Sequence, residues 1–539
     1  MSSALVTCVL KEFAFLKSAE NLEAVFARGC NLPQTGGLAV PAGRAHQGAE
    51  LSGHLATGVD FATYLIEPAQ VLFLVYSRSG IVKGTVALRL SDERIELGHF
   101  AGDCSGGEIS EAVRELVRWC QQTLWSGPCV ANHDELIKFF GDDLSGVPVA
   151  ESASERSRGF VILKYNARWR GGNATILTAG PSVSAREVAY TLDAAKYGWN
   201  SQWAKYLKAF EAKFANYVGV RYALATSSCT GALHLALLAL DIGPGDEVIV
   251  PDITWVATGN AVLYVGATPV FADVDQQSWC LDPDSLRACI TPRTKAIIPV
   301  HLYGHPCEMD KILEIAHENN LFVVEDAAPS IGAEYRGRRT GSFGHFAAFS
   351  FQGAKLAVTG EGGMLLTDDE QLYKKVYTIW DQGRLPGTFW IANRGWKYKM
   401  ANMLAAFGLG QLERNDEMVE AKRRIFSWYD AGLNGLADVS LHREAKATRS
   451  IYWMTSLLLH EKAPIERDML MAKLKDRKID TRPVFPAISQ YPIWPVKHPP
   501  QPNAHRIGQR AINLPSGVCL SWEEVNYVCD SIREIIQTA

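Results

Sequence analysis

Two kinds of apolar pattern divide the chain. In the first, VLFLVYS (71–77) and GTVALRL (84–90) are β-rich runs parted by the polar break RSGIVK, which predicts a hairpin. EISEAVRELVRWCQQTLW (108–125) follows with apolar residues at helical spacing. From about residue 178 the rhythm becomes strand, then helix, repeatedly. SAREVAYTLDAAKYG opens with Ser184 and Glu187 at capping-box spacing and closes at Gly198. YALAT (222–226), EVIV (247–250), PVFAD (269–273), AIIPV (296–300), LFVVED (321–326) and AAFSF (347–351) read as short strands. TGALHLALLAL (230–240) and EMDKILEIAHENN (308–320) read as helices between them. Short apolar strands buried on both faces and joined by helices predict an α/β layer fold with a mostly parallel sheet and right-handed crossovers. Beyond about 416 the pattern loosens into a smaller α+β segment containing YWMTSLLL and the helix ERDMLMAKLKDRK. The polar, Gly-containing stretches ESASERSRG and RWRGGNAT mark a boundary near 150–178. The expected organisation is a separate α+β N-terminal domain at 1–165, a large domain at 178–415 and a small C-terminal domain at 416–539. No internal repeat is visible.

Composition narrows the classes. With 539 residues, 47% hydrophobic and 21% charged, the chain has the make-up of a soluble globular protein of two or three domains. A formal net charge of −4 offers no basic face for nucleic acid. The 11 cysteines show no CxxC pairing, which suits reduced thiols in the cytoplasm better than a disulfide framework or a zinc site. The short N-terminal apolar stretch is cut by Lys11 and Glu12, so it does not read as a signal peptide. No run approaches the roughly 18–20 apolar residues of a membrane span.

Ligands of such sheets bind beyond the carboxyl ends of the strands, so the residues there carry the candidate chemistry. After YALAT comes SSCTGALH, a polar turn opening a helix. It reads either as a phosphate cradle, with Thr230 and Gly231 as contacts, or as a plain helix cap. After LFVV come Glu325 and Asp326, which read as a functional acid or a cap. After AAFSF comes QGAKLAVTGEGG, whose Lys355 alone would pass for a surface lysine. Phosphate nest, acid and lysine followed by TGEGG, in that order on successive strand ends, are together what pyridoxal-phosphate (PLP) chemistry requires.

From AGPSVSAREV (179–188) to INLPSGVCLSWEE (512–524) the chain resembles the DegT/StrS-type aminotransferases of PLP fold type I. The segments carrying the resemblance include VVEDAAPSIGAEYRGRRTGSFG, FSFQGAKLAVTGEGGMLLT, KYKMANMLAAFGLGQLER and DTRPVF. DQGR (381–384), KYKM (397–400) and RPVF (482–485) make it most similar to perosamine-synthase-like members. The resemblance implies a PLP-dependent sugar-nucleotide aminotransferase. L-Glutamate would be the amino donor and a nucleotide-linked keto sugar the acceptor, with GDP-4-keto-6-deoxy-mannose as the best guess. The setting would be surface polysaccharide, lipopolysaccharide or glycoside biosynthesis, and the assembly a homodimer with shared active sites. Residue by residue, Lys355 matches the Schiff-base lysine and Asp326 the partner of the pyridine nitrogen. Trp255 matches the aromatic stacked on the ring. Ser350, with Thr230 and Gly231, matches the phosphate contacts. Lys397 matches a position that reaches the neighbouring subunit's phosphate.

Three positions depart from the common family pattern. Pro329 stands where Gln or His is frequent, Lys397 where Asn is, and Gln352 where His is. Two other readings remain at this point. A PLP-dependent sugar dehydratase would carry His in place of Lys355. A non-catalytic sensor or binding module would need no turnover. The N-terminal unit, over about 29–125, faintly resembles PcfJ-like domains. His54, His99 and Cys104 there are better read as loop or core residues than as metal ligands, and AGDCSGG is a poor coenzyme-A turn. No metal site is expected.

Overall fold

The computed structural model describes residues 175–539 and, before them, the backbone of eight strands between Glu50 and Leu163. These strands are β1 Glu50–His54, β2 Val59–Glu67, β3 Gln70–Ser77, β4 Val82–Leu90, β5 Ile95–Gly102, β6 Cys129–Asn132, β7 Val149–Ala150 and β8 Phe160–Leu163. They form one sheet in the order β1-β2-β3-β4-β5-β6-β8-β7. β3 and β4 pair antiparallel with Val71 opposite Leu88, while β5 and β6 run parallel. The run at 108–125, the Gly/His segment from residue 29 and Cys104 lie outside the described residues. By compactness the chain divides into one unit of Met1–Arg168 with Val183–Ala189 and another of Trp169–Ser182 with Tyr190–Ala539.

Residues 175–539 begin with α1 Ala185–Tyr197, whose first residues fall in the first unit, then α2 Lys205–Val218, β9 Tyr222–Thr226, α3 Cys229–Ala239, β10 Glu247–Pro251, α4 Ala257–Tyr264 and β11 Thr268–Ala272. Next come α5 Pro283–Cys289, β12 Thr294–Ile297, α6 Met309–Glu318, β13 Phe322–Asp326, β14 Glu334–Tyr335, β15 Arg338–Arg339, β16 Phe346–Ser350 and β17 Gly363–Thr367. α7 Glu370–Trp380, α8 Asn402–Glu413 and α9 Asn415–Gly432 lead to β18 Val439–Leu441, β19 Thr448–Arg449 and β20 Ser456–Leu459. α10 Arg467–Asp476, β21 Arg482–Pro483, α11 Pro502–Arg510, β22 Ala511–Asn513 and α12 Trp522–Gln537 complete the order.

The main sheet has seven strands in the order β11-β10-β12-β13-β16-β17-β9. The pairs from β11 through β16 are parallel, and β17 runs antiparallel to both β16 and β9. Every residue of β10, β16 and β17 is buried, as strands covered on both faces must be. The expected strands are present within a residue or three of their predicted ends. The addition is β17, whose GMLLT follows directly on the glycines of TGEGG.

Helix α2 shows how the faces are closed. Its Tyr206, Leu207, Phe210, Phe214, Ala215 and Val218 lie on one stripe and are buried. Phe214 packs edge-on against Phe349 of β16 at 5.0 Å and against Phe351 at 5.5 Å. Each such ring is worth about 1.5–3 kcal/mol of burial. The helix stops at Gly219, which takes the left-handed conformation (φ 90°) that a C-terminal cap favours. At α1 the capping box is only half formed. Glu187 accepts from the Ser184 amide at 2.7 Å, but the Ser184 hydroxyl turns to Glu187 and receives the Arg186 amide instead. A complete box caps α12, between Ser521 and Glu524.

A second apolar cluster lies under the C-terminal segment. Ile425 and Tyr429 of α9, Leu470 and Leu474 of α10, and Val525, Val528, Ile532 and Ile535 of α12 pack there with Leu457 and Ile512. The sheet order in this segment is β18-β20-β22-β21, all antiparallel. Among the described residues no helix is long and apolar enough to cross a membrane.

Candidate active site

Strand direction decides where the chemistry gathers. β10, β12, β13 and β16 run together, and β9 shares their direction because β17 is antiparallel to both β16 and β9. The carboxyl ends of β9, β13 and β16 therefore meet at one edge, with the first residue of β17, Gly363, opposite Thr226 and Ser350.

β13 ends in two acids that strand alternation sends to opposite faces. Glu325 accepts from the amides of Gly341 (2.7 Å), Phe343 (2.7 Å) and Gly344 (2.8 Å), and faces His301 Nε2 at 3.0 Å. The Cys307 amide donates to His301 Nδ1, so the imidazole proton sits on Nε2 and is donated to Glu325. Glu325 is thus a structural clamp on the 341–344 turn. Asp326 faces the other way and is buried. Its Oδ2 accepts from the Thr258 hydroxyl at 2.7 Å and its Oδ1 from the Ala328 amide at 3.1 Å. Thr254 in turn contacts Thr258 at 3.0 Å. Among the described residues no cation forms an ion pair with Asp326. Burial pushes its carboxyl up, against the opposing pull of Thr258, Ala328 and the Lys355 charge.

Lys355 stands on the turn after β16. The turn is closed by Lys355 N to Gln352 O (2.8 Å) and Gly353 N to Gly360 O (2.9 Å). Its Nζ lies 3.9 Å from the centre of the Trp453 ring. Burial pulls the amine down to about 8, partly offset by the charges of Asp326 and Cys229. Asp326, Lys355 and Cys229 are therefore near enough for their charges to act on one another, with Cys229 at the first turn of α3.

The start of α3 is tightly made. Ser228 is the N-cap, and its hydroxyl receives the Gly231 amide at 3.0 Å. The Gly231 amide is thus used internally, while the Cys229 and Thr230 amides find no acceptor among the described residues. Gly363 permits this approach. A Cβ there would stand 2.6 Å from the Cys229 amide nitrogen and 2.7 Å from the Ser228 carbonyl oxygen. Ser350 Oγ is 3.4 Å from the Gln352 amide, a weak contact that leaves the hydroxyl free to turn.

Two expected residues are more exposed than this cluster. Trp255 is 59% exposed, so it is not a core tryptophan, and its ring is 5.6 Å from that of Phe485. Lys397 is exposed and pairs with Asp381 at 3.3 Å. Lys399 (3.0 Å) and Arg384 (2.5 Å) pair with the same carboxylate, which they hold down at about 2. Arg384, Lys397, Lys399 and Trp203 line a cavity of about 520 Å³ with an excess of positive charge. Sequence reasoning missed Thr254, Thr258 and Trp453. Nothing in the local spacing of Thr258 and Trp453 distinguishes them, because each acts on a residue remote in sequence, and Thr254 enters only through its contact with Thr258.

Residues 181–533 match the DegT/DnrJ/EryC1/StrS aminotransferase family. GDP-perosamine synthase of Escherichia coli O157:H7 is 43% identical over 355 residues, covering 66% of this chain and 96% of that protein. GDP-perosamine synthase of Caulobacter vibrioides is 42% identical over 366 residues, covering 67% and 98%. The solved structure of S. venezuelae DesV in complex with a ketimine intermediate superposes with a TM-score of 0.62 at 34% identity, covering 66% of this chain and 95% of that one. The chain belongs to the DegT/DnrJ/EryC1/StrS aminotransferase family. It is a PLP-dependent sugar aminotransferase.

The residues present fit the cofactor of this family. A buried carboxylate without a cationic partner suits a protonated ring nitrogen. A lysine whose ammonium has an aromatic face but, among the described residues, no hydrogen-bond acceptor suits a bond to an aldehyde. Unclaimed amides at the start of α3 suit a phosphate.

Proposed function

We propose that this aminotransferase moves an amino group from L-glutamate to a nucleotide-linked keto sugar of the perosamine type, with GDP-4-keto-6-deoxy-mannose as acceptor, in surface polysaccharide biosynthesis. The observation that carries the site is that Asp326 ends β13 and Lys355 follows β16, on neighbouring parallel strands, near enough for each charge to act on the other. The GDP-linked acceptor is supported by the likeness to the perosamine synthases.

Bound PLP supplies an electron-poor ring that stabilises negative charge on the substrate carbon. The chain does the rest. Lys355 holds the cofactor and carries a proton to and from the substrate carbon, since an amine near 8 can both give and take one close to neutral pH. Asp326 keeps the ring nitrogen protonated, and Thr258 and the Ala328 amide orient Asp326 and favour its ionised form against burial. Trp255 offers an aromatic face to the ring. Ser350, Thr230 and the first amides of α3 receive the phosphate, with Gly231 in support through its bond to Ser228. Lys397, in its basic cleft, serves the phosphate of a second subunit across a homodimer interface, as a point charge beside Arg384 and Lys399.

The test is amino transfer from L-glutamate to a panel of nucleotide keto sugars, followed by product analysis. The GDP-linked acceptor should give an amino sugar, and Lys355→Ala should give none and lose the visible absorbance of the cofactor-loaded protein. Absence of turnover across the whole panel would instead favour a non-catalytic module.

A further inference from the structure

Trp453 is 6% exposed and is fixed from three sides. Its indole Nε1 donates to Ala354 O at 2.8 Å, on the residue before Lys355. Its own carbonyl accepts from the buried Lys422 Nζ at 2.8 Å, and Lys422 also donates to Ser516 O. Its ring stacks on Tyr303 (5.9 Å, 23°), which stacks on Phe485 (5.4 Å, 23°), which touches Trp255 (5.6 Å). Gly304 allows the loop between β19 and β20 to come this close, since a Cβ there would stand 2.5 Å from Ile451 and 3.1 Å from the Trp453 amide. The outcome is a rigid ring face 3.9 Å below the Lys355 ammonium.

We propose that Trp453 is a positioning residue for Lys355: its ring face is where the amine rests whenever it is not bonded to the cofactor. This rests on the reading of Lys355 as the cofactor lysine. Amino transfer in two halves leaves that lysine unbonded for part of every cycle, and a free ammonium on this half-buried turn needs a surface that neither neutralises it nor lets it swing away. A carboxylate in contact would hold the proton too tightly. An aromatic face attracts the cation more weakly and lets it go. The titratable groups facing the amine are Asp326 on β13 and Cys229 at the start of α3, with His301 beyond Asp326. The ring adds its attraction to theirs, so removing it lowers the proton affinity of the amine.

The experiment is competitive acetylation of the full-length chain, freed of cofactor, between pH 6 and 11, with the Lys355 peptide followed by mass spectrometry. Trp453→Leu should lower the midpoint by about one pH unit, a tenfold change in proton affinity. Trp453→Phe keeps a ring face but loses the bond to Ala354, and should leave the midpoint near that of the native chain. Trp453→Met replaces the Leu variant should that fail to fold. Coincident midpoints for the native chain and the aliphatic variant overturn the proposal, as does a Phe variant shifted as far as the aliphatic one. Borohydride reduction of the cofactor-loaded native chain, read in the same digests, separates the two readings. A mark away from Lys355 removes the premise, whereas a mark on Lys355 with unmoved midpoints removes only the role of Trp453.

Discussion

Asp326 is held by neighbours that a linear reading does not reveal. Thr258 donates to it across 68 positions, and Trp453 braces the lysine turn across 99. Lys355 and Asp326 were legible because their motifs are contiguous. Thr258 and Trp453 were not, because a hydroxyl or an indole acquires its role only when the strand ends converge. Thr258→Val, similar in shape but without the donor, should lower kcat about tenfold, and Thr258→Ser should restore most of it, since one hydrogen bond to a buried charge is worth about 1.5–3 kcal/mol. Asp326→Asn should cost at least about a hundredfold, in the range seen when a preorganised charge is removed from an active site. The pH dependence follows from the amine. Below about 8 Lys355 is protonated and cannot attack an aldehyde. The rate of cofactor capture by the cofactor-free chain should rise about tenfold per pH unit and level off above that value. The same depression has a stability consequence. An amine whose folded pKa lies below its unfolded value imposes its full penalty at pH values under the folded one and is relieved as the pH rises towards the unfolded one. Lys355→Met should therefore stabilise the cofactor-free chain by about 1–3 kcal/mol at pH 7, and by progressively less towards pH 10, as measured by denaturant titration.

At the level of elements, the strand–helix alternation and the mostly parallel sheet followed from apolar spacing, whereas α2 was not among the helices read from the sequence. The strand β17 did not, because GMLLT follows directly on the glycines of the lysine motif and reads as their continuation. The cap of α1 was legible only in part. Glu187 reaches back as expected, but Ser184 bonds to Glu187 rather than to its amide. Where elements press together, a single methyl should tell. Gly363→Ala places a Cβ against the Ser228 carbonyl and the Cys229 amide, which are backbone and cannot swing aside. Such overpacking costs about 1–3 kcal/mol. It should lower the thermal midpoint by several degrees and, because it displaces the start of α3, weaken cofactor binding, both measurable in one titration series.

At the scale of the molecule, the unit that includes Tyr190–Ala539 holds every residue placed in the candidate site. The family match, residues 181–533, lies almost wholly within it. Polarity suggested a boundary near 150–178, whereas nothing in the sequence told what the N-terminal sheet does. We expect a chain beginning near residue 170 to retain amino transfer within about threefold of the full chain; a larger loss would give the N-terminal unit a part in catalysis. The central claim is that one amine of the whole chain carries the cofactor. Its most direct test is to load the full-length protein with PLP, reduce with borohydride and map every lysine-containing peptide. The reduced cofactor should be found on Lys355 alone, with no label in Lys355→Ala. Label on another lysine, or undiminished label in that variant, would contradict the account.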